Sequence, residues 1–515
     1  MQHARVTVVA LSLLALTLTV GSAKDPSPLV EPPPNIVLIY ADDMGFGDVS
    51  ANGSSAIATP HIDRLAKEGL RFTDAHASAA TCTPSRFALL TGQYAFRQKG
   101  TGILAGNANM IIRPGSTTLP SMLKQAGYET GIVGKWHLGL GEGVVDWNRD
   151  ISPGPAEIGF DYHFLVPATG DRVPCVYVEQ GRVVDLDSKD PIAVSYSQRI
   201  DPSPSGAEKF ESLKQKWSHG HNQSIINGIS RIGWMTGGQA ARWIDEDMAD
   251  VLVQKATRFI EQNRAQPFFL FLSTHDIHVP RVPHSRFADK SGHGLRGDCI
   301  LQLDATVGAV LAKLDELKLV NNTMVIFTSD NGPVLDDGYV DEANERLGEH
   351  DPNGPFRAGK YSRFEGGTRV PFLVRYPAQI PADQTSPALL GQVDLCRSFA
   401  KLTGVRVAEN AFGDSRDELD TLLGKDVVGR PHLVHEAGEL ALRMGQFKYV
   451  PPGKSRDQLG PWSDATIPPG GSLFDLGSEG GETLDVSQAN SDLLERMRGL
   501  LAKIRKEGTD LFPVE

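Results

Sequence analysis

Apolar residues follow two alternating patterns along the chain, and together these patterns predict an α/β fold. Short runs rich in Val, Ile, Leu and Phe, typical of buried strands, lie at residues 35–43, 129–134, 267–275 and 323–332. Segments with helical spacing lie at residues 59–70, 118–128, 249–263 and 304–318. Such alternation favours a large, mostly parallel sheet flanked by helices, with the functional loops at the carboxyl ends of its strands.

The alternation ends near Thr403. Residues 430–452 and 472–482 predict short strands at turn spacing, and residues 491–508 predict one amphipathic helix. We therefore predict a catalytic domain over residues 24–402 and a smaller α+β subdomain over residues 403–515, in which a helix packs on antiparallel strands.

The amino terminus has the features of a signal peptide over residues 1–23. A basic residue, Arg5, precedes an apolar run from Val6 to Val20, and small residues end at Ala23. A retained membrane anchor is the alternative, but the run is shorter than the roughly 20 residues that a transmembrane helix needs. The sequence predicts an exported, soluble protein without a transmembrane anchor, periplasmic or secreted if the host is bacterial.

Charge and cysteine content exclude several functional classes. A net charge of −12 argues against a nucleic-acid partner, because binding many phosphates requires a basic surface. The four cysteines have no regular spacing, which argues against a zinc cage or a disulfide-rich scaffold. Export would permit one disulfide. If Cys82 has another role, at least one of Cys175, Cys299 and Cys396 stays unpaired.

Polar side chains collect where the predicted strands end. Because these ends meet at one edge of a parallel sheet, the side chains are expected to lie close together. Three carboxylates and an amide oxygen form a hard ligand set that suits Ca²⁺ or Mg²⁺. The strand-end residues are Asp42, Asp43, Lys135, His137, His275, His278, Asp330 and Asn331.

Cys82 begins the segment CTPSRFALLTG, which predicts a helix that ends at Gly92. At a helix amino terminus, free N–H groups and the helix dipole favour an anion or a thiolate, and Arg86 lies one turn further on. A small buried residue that happens to be cysteine is the alternative.

The motif Cys82-Thr-Pro-Ser-Arg86, with the following Leu-Thr-Gly, resembles the signature of the type I sulfatases of the alkaline phosphatase-like superfamily. Further motifs come in the order found in that family, including residues 41–50, 59–77, 134–139, 159–164, 327–333 and 359–371. The resemblance implies a sulfuric ester hydrolase in which a maturation enzyme oxidises Cys82 to formylglycine. The hydrated aldehyde would then be the nucleophile.

The resemblance also implies a role for each matching residue. Calcium, rather than magnesium, would be bound, and His278 is preferred to His275 because a proline follows two residues later, as in the family. Thr169 matches a position near the sulfate in some members, and Tyr361 stands where relatives often have glycine. The implied roles are calcium ligation by Asp42, Asp43, Cys82, Asp330 and Asn331, nucleophile support by Arg86, sulfate contact by Lys135 and Lys360, proton abstraction by His137, and leaving-group protonation by His278 with Lys360.

Two other functions remain open on the sequence. One is a phosphonate or phosphate ester hydrolase of the same superfamily, and the other is an inactive protein that binds sulfated glycans. The substrate is expected to be a sulfated small molecule or glycan, which the sequence does not define further. Residues 197–239 form either an insertion over the site or an ordinary surface loop, and His219 and His221 within them are expected to be solvated.

Overall fold

A computed structural model describes residues 1–2, 33–457, 459, 463–477 and 481–507. The predicted signal peptide lies largely outside the described residues. The described residues from Pro34 onward form one compact unit. In the described part of the chain, no helix is both long and apolar enough to cross a membrane.

The main architectural feature is a ten-stranded sheet. The first strands along the chain are β1 Asn35–Ala41, β2 Leu70–Phe72, β3 Ala75–His76, β4 Glu129–Lys135, β5 Tyr162–Val166, β6 Val178–Glu179, β7 Arg182–Val183, β8 Ala193–Ser195, β9 Ile225–Ile226, β10 Ile229–Ser230 and β11 Trp234–Thr236. The remaining strands are β12 Phe268–Ser273, β13 Thr323–Ser329, β14 Phe372–Arg375, β15 Gln384–Ser386, β16 Leu390–Gly391, β17 His432–Ala437, β18 Glu439–Met444, β19 Phe447–Val450, β20 Gly453–Arg456, β21 Asp464–Ile467 and β22 Ser472–Asp475.

The large sheet has the order β15-β2-β14-β13-β1-β12-β4-β5-β6-β7. Its five central strands, β13 to β5 in that order, are parallel. Strands β14, β6 and β7 pair antiparallel with their neighbours towards the two edges, so the sheet is mixed outside its parallel centre. The predicted α/β class is confirmed, and the parallel centre carries the strand ends that supply the candidate site.

The helices are placed close to the predicted segments. Helix α5 begins ten residues before the predicted segment at Asp304, because its first turns contain two glycines and a charged pair that hide the apolar spacing. The helices are α1 Pro60–Lys67, α2 Cys82–Thr91, α3 Leu119–Gln125, α4 Met248–Gln262, α5 Gly294–Glu316, α6 Glu365–Thr368, α7 Leu395–Thr403, α8 Leu419–Leu422 and α9 Ser491–Glu507.

The C-terminal region forms a second sheet with the order β17-β18-β19-β22, and all of its pairs are antiparallel. Helix α9 packs on it through Met497, Leu501 and Ile504, in a core that also includes Ala88 and Tyr94 from the region of α2. The predicted small α+β region is therefore present. The boundary at residues 402–403 remains a prediction, since the two regions share apolar packing.

A buried ionic cluster joins the two regions. The carboxylate of Glu365, which is fully buried, accepts from Arg369 at 2.6 Å, Arg443 at 2.8 Å and Lys448 at 3.0 Å. Burial alone would raise the pKa of Glu365, but the three cations outweigh it and hold the pKa well below its usual range. Because β18 and β19 supply Arg443 and Lys448, Glu365 ties the C-terminal sheet to the segment that follows Lys360.

Replacing Arg443 with methionine is expected to destabilise the fold by about 3–5 kcal/mol, because the change removes a buried cation that Glu365 and Asp74 share and leaves their charge less well offset. Arg498→Met is the matched control, since Arg498 pairs with Glu495 on the surface with 41% of its side chain exposed, and such pairs contribute at most about 1 kcal/mol. Urea unfolding of both variants measures the difference. A loss equal to that of the control would show that the cluster contributes little to stability.

Candidate active site

The candidate site begins where β1 and β13 end side by side. These strands are parallel and in register from Asn35 opposite Thr323 to Ala41 opposite Ser329. Asp42 and Asp43 therefore lie beside Asp330 and Asn331. The Asp43 amide donates to Asp330 Oδ1 at 3.3 Å, and Asn331 Nδ2 donates to Asp43 Oδ1 at 2.7 Å. All four residues are fully buried.

The donor atoms of these four residues fit a hard cation. Asn331 Oδ1 is buried and accepts no hydrogen bond from the described residues, although a buried amide oxygen normally has a partner. Burial, and then the charge of Asp330, raise the pKa of Asp42 well above its usual value, which shows that the carboxylates repel one another. Carboxylate and amide oxygens are the ligands that Ca²⁺ takes, so these residues are suited to hold it.

Cys82 is the first residue of α2, and Thr81 is the preceding cap residue. The helix ends at Gly92, whose φ of 60° is the left-handed conformation that glycine adopts without strain. The thiol is 2% exposed and lies 3.7 Å from Asp42 Oδ1. Burial raises the pKa of Cys82 despite the nearby ammonium groups of Lys135 and Lys360. The encoded thiol is thus protonated at neutral pH, contrary to the thiolate that the helix position favours.

Arg86 and Lys135 lie among the carboxylates. Arg86 donates to Asp330 Oδ2 from Nε at 3.0 Å and from Nη2 at 2.7 Å, and Lys135 Nζ lies 2.5 Å from Asp42 Oδ2. Ser273, at the end of β12, accepts from Arg86 and donates to the carbonyl of Lys135 at 2.7 Å. This serine, which the sequence reading did not identify, holds the two cations in place.

Lys360 and His278 lie beside two other carboxylates, those of Asp43 and Asp337. Lys360 Nζ lies 2.9 Å from Asp43 and 2.8 Å from Asp337. His278 Nε2 lies 3.8 Å from Asp43 and 3.9 Å from Asp337, while Nδ1 lies 2.6 Å from the carbonyl oxygen of Val279. That carbonyl accepts only if Nδ1 carries a proton, which leaves Nε2 as the nitrogen directed at the carboxylates.

Asp337 is a site residue that the sequence reading missed. It lies in the loop after Asn331 and accepts hydrogen bonds from Lys360 and, at 3.0 Å, from the Tyr361 hydroxyl. The only sequence signal is its place in an Asp-Asp pair seven residues after Asp330. Tyr361 itself has a φ of 71°, which is a strained conformation for a residue with a side chain. Its bond to Asp337 accounts for the side chain at a position where relatives often have glycine.

The Asp337→Asn substitution is expected to lower kcat/KM by about 10–100-fold, because Lys360 loses a charged partner and its position. The side-chain volume is unchanged and Lys360 keeps its bond to Asp43, so the free energy of unfolding should fall by no more than about 1–3 kcal/mol. Steady-state kinetics and urea unfolding measure the two effects. Unchanged kinetics would mean that Asp43 alone positions Lys360.

His137 follows β4 and has a φ of 55°. Its Nε2 lies 3.0 Å from the carbonyl oxygen of Leu104, whereas its buried Nδ1 has no hydrogen-bond partner among the described residues. Burial, and then the charges of Lys135 and Arg172, lower the pKa of His137 well below its usual value. The ring is therefore neutral, with a free lone pair on Nδ1, as a proton acceptor requires.

A second group of polar residues lies near His278, and only Thr169 among them was identified from the sequence. His221 Nε2 lies 2.9 Å from Asp171, and the Arg172 side chain, 18% exposed, lies 3.9 Å from the same carboxylate. Thr169 donates to Asp171. Burial, and then the charges of Lys360 and Lys135, lower the pKa of His278 well below its usual value, although the charge of Asp171 opposes the shift. His221 is only 6% exposed, so the expectation of a solvated histidine is wrong.

The segment that carries His221 is the insertion over residues 197–239. The ring of His221 lies 4.6 Å from that of Tyr339, which places the insertion against the loop of Asp337. His275 lies behind His278, with ring centres 5.8 Å apart, and burial lowers its pKa to about 4. Its Nε2 faces Gly170, where a Cβ atom would lie 2.3 Å away. His275 is therefore a wall residue, and the insertion borders the site.

The four cysteines are free and buried, so the one disulfide that export would permit does not form.

Comparisons with known sequences and structures identify relatives of this chain. The family model described as Sulfatase matches residues 34–405. An N-acetylgalactosamine-6-O-sulfatase of Bacteroides thetaiotaomicron is 50% identical over 92% of this chain and 93% of its own length. A mouse steryl-sulfatase is 33% identical over 80% of this chain and 69% of its own length.

A solved structure from work on the metabolism of multiple glycosaminoglycans by Bacteroides thetaiotaomicron, described as a 6S sulfatase, is similar with a TM-score of 0.88 and 48% identity. The structural alignment covers 93% of this chain and 100% of the chain in the solved structure. The fold is therefore the alkaline phosphatase-like fold that the sequence resemblance implied. The match of the family model to most of the chain, with the identity to curated relatives, shows that this protein belongs to the sulfatase family.

Proposed function

We propose that this sulfatase removes the 6-O-sulfate of an N-acetylgalactosamine residue in a sulfated glycan, using a formylglycine made from Cys82 and a bound Ca²⁺. The observation that carries the chemical part is the position of Cys82, 3.7 Å from Asp42 within a buried group of carboxylates and cations. The substrate rests on the relative that is 50% identical and bears that activity in its name.

The chain's own residues divide the work of ester hydrolysis. Asp42, Asp43, Asp330 and the Asn331 amide oxygen would hold Ca²⁺, which neutralises charge on the sulfate oxygens when bound. Lys135 pairs with Asp42, and Lys360 pairs with Asp43. Both ammonium groups would also contact the sulfate oxygens and stabilise their negative charge.

Proton transfers fall to the two histidines. His278 carries its ring proton on Nδ1, so it would first take up a second proton on Nε2, where Asp43 and Asp337 lie 3.8 and 3.9 Å away, and then deliver that proton to the leaving sugar oxygen, which is otherwise a poor leaving group. His137 Nδ1, which has no partner among the described residues, would accept a proton during release of sulfate. Arg86 would hold the residue at position 82 against the helix amino terminus while keeping its bond to Asp330.

Formylglycine supplies what the encoded thiol lacks. Its hydrate has two hydroxyl groups, one to attack sulfur and one to permit release of the sulfate. The protonated state and 2% exposure of Cys82 support this proposal, because a buried neutral thiol is a poor nucleophile. The same burial implies that a maturation enzyme meets the chain before it folds. We also propose that the protein is exported, consistent with the leader sequence.

Recognition of the sugar would fall to the group around Asp171. Asp171, Arg172 and His221 offer charged donors and acceptors beside His278, where hydroxyl groups of the ring next to the sulfated carbon would lie. A site that hydrogen-bonds a hydroxyl group discriminates strongly against analogues that lack it or orient it differently.

Sulfate release from matched sugars tests the proposal. We expect kcat/KM for N-acetylgalactosamine 6-sulfate to exceed that for the 4-sulfate and for N-acetylglucosamine 6-sulfate by at least about 100-fold. The 6-phosphate of the same sugar tests the phosphoester alternative, and retention on a sulfated glycan column without turnover tests the inactive binder. Faster release from the 4-sulfate or from the phosphate would contradict the proposal.

A further inference from the structure

A second cavity lies apart from the residues assigned to catalysis. Its volume is about 550 Å³, within the range of roughly 300–1,000 Å³ that is usual for ligand sites. Part of its wall comes from the insertion over residues 197–239, through the consecutive residues Leu213 to Lys216. Val340 to Glu342 form an adjoining part, since the Val340 amide donates to the carbonyl oxygen of Lys216 at 2.8 Å. The insertion thus borders two separate spaces.

Gln215 makes this cavity unusual. It lines the cavity and is 7% exposed, yet neither its side-chain nitrogen nor its oxygen has a hydrogen-bond partner among the described residues. A buried amide without partners costs about 1–3 kcal/mol per unsatisfied group. The amide can both donate and accept, so a ligand with one acceptor and one donor would satisfy it.

The surroundings of Gln215 combine apolar contacts with positive charge. Leu213 and Ile229 are buried apolar residues, and Val340 is 55% exposed. Lys216 and Arg346 are 39% and 40% exposed. Lys216 pairs with Glu211 at 2.6 Å, whereas the nearest acidic partner of Arg346, Asp289, is 3.8 Å away. The lining also includes Glu246, which pairs with Lys214, and Asp341, which pairs with Arg281. The cavity therefore has an apolar side for a methyl group or a sugar face, and Arg346 is the lining cation with the most distant acidic partner.

One layer of side chains separates the cavity from the candidate active site. Ile229, which lines the cavity, packs with Val279 and Tyr339. Val279 directly follows His278 in the chain, and the ring of Tyr339 contacts that of His221. Arg281, also in the lining, donates to the carbonyl oxygens of Val334 and Leu335 in the loop that leads to Asp337. A ligand in the cavity thus lies against both loops of the site.

We propose that this cavity is a second carbohydrate site, which binds an acidic, N-acetylated stretch of oligosaccharide away from the sulfate that is cleaved. An acetamido group offers a donor, an acceptor and a methyl group, which match Gln215 and its apolar neighbours. A neighbouring carboxylate or sulfate would pair with Arg346. The inference rests on the proposed function for the identity of the glycan, while the cavity itself does not take part in the chemistry.

The probe is a size-defined oligosaccharide of alternating N-acetylgalactosamine and glucuronate without sulfate, so that no sulfate anchors it in the active site. Calorimetry with the full-length Cys82→Ala protein measures its affinity. Gln215→Leu and Arg346→Ala are each expected to weaken binding by about tenfold or more. Arg505→Ala is the matched control, because Arg505 is 42% exposed, pairs with Glu439 and does not line the cavity.

Turnover separates this inference from the proposed function. In the otherwise unchanged protein, Gln215→Leu should raise KM for a sulfated oligosaccharide and leave kcat/KM for the sulfated monosaccharide within about twofold. Its melting temperature should not fall, because leucine removes an unsatisfied buried amide. Equal affinity of the probe for the Gln215→Leu, Arg346→Ala and control proteins, or no saturable binding, would overturn the second site even if the monosaccharide is hydrolysed.

Discussion

Replacing Cys82 with alanine is expected to lower kcat for sulfate release by at least about 10³-fold, because the change removes the only group proposed to form a covalent bond to sulfur. The side chain is buried and small, and Asp42 remains paired with Lys135. The protein should therefore fold and still bind the substrate. Steady-state kinetics with the sulfated monosaccharide, together with calorimetric binding of the same compound, measure both parts.

Cys299→Ala is the matched control, since Cys299 is equally buried and is a free thiol on α5. It should keep nearly full activity. If the Cys82 variant retained more than about a tenth of the activity, the nucleophile would have to be another group.

Removal of bound metal is expected to lower activity by at least about 100-fold and also to lower the melting temperature. Asp42, Asp43 and Asp330 are fully buried together, and their repulsion is only partly offset by Lys135, Arg86 and Lys360. A cation that binds the folded state alone stabilises it by mass action, so the melting temperature should rise with added metal.

Chelation followed by titration with Ca²⁺ or Mg²⁺ measures both effects. Ca²⁺ should restore activity and stability at lower concentration than Mg²⁺, which requires stricter octahedral geometry. A chelated protein with unchanged activity and melting temperature would contradict a metal site at these carboxylates.

The proximity of the strand-end residues could be predicted from the sequence, because neighbouring parallel strands end at the same edge of the sheet. Asp42 and Asp43 must lie beside Asp330 and Asn331 once β1 and β13 pair in parallel. Arg86 follows from one turn of helix after Cys82. The roles of Lys360 and His278 came from the family resemblance, since neither position has a periodic pattern that fixes where its loop folds.

Asp337, Asp171 and His221 could not be predicted, because each depends on loops that are positioned by tertiary contacts. His221 lies in a long polar segment whose sequence is compatible with a solvated loop, and only its packing on Tyr339 and its bond to Asp171 bury it. Glu365 is similar, since its partners Arg443 and Lys448 are about 80 residues away in the sequence. Long-range charge pairs of this kind leave no local pattern.

The central claim is that Cys82 is converted to formylglycine, and one peptide tests it directly. Trypsin releases residues 72–86 as a single peptide with Cys82 as its only cysteine. In protein made together with a maturation enzyme, we expect the mass of this peptide to be that of an aldehyde in place of the thiol. Across preparations, kcat should rise in proportion to the fraction of the peptide that carries the aldehyde. An intact thiol in fully active protein would contradict the mechanism.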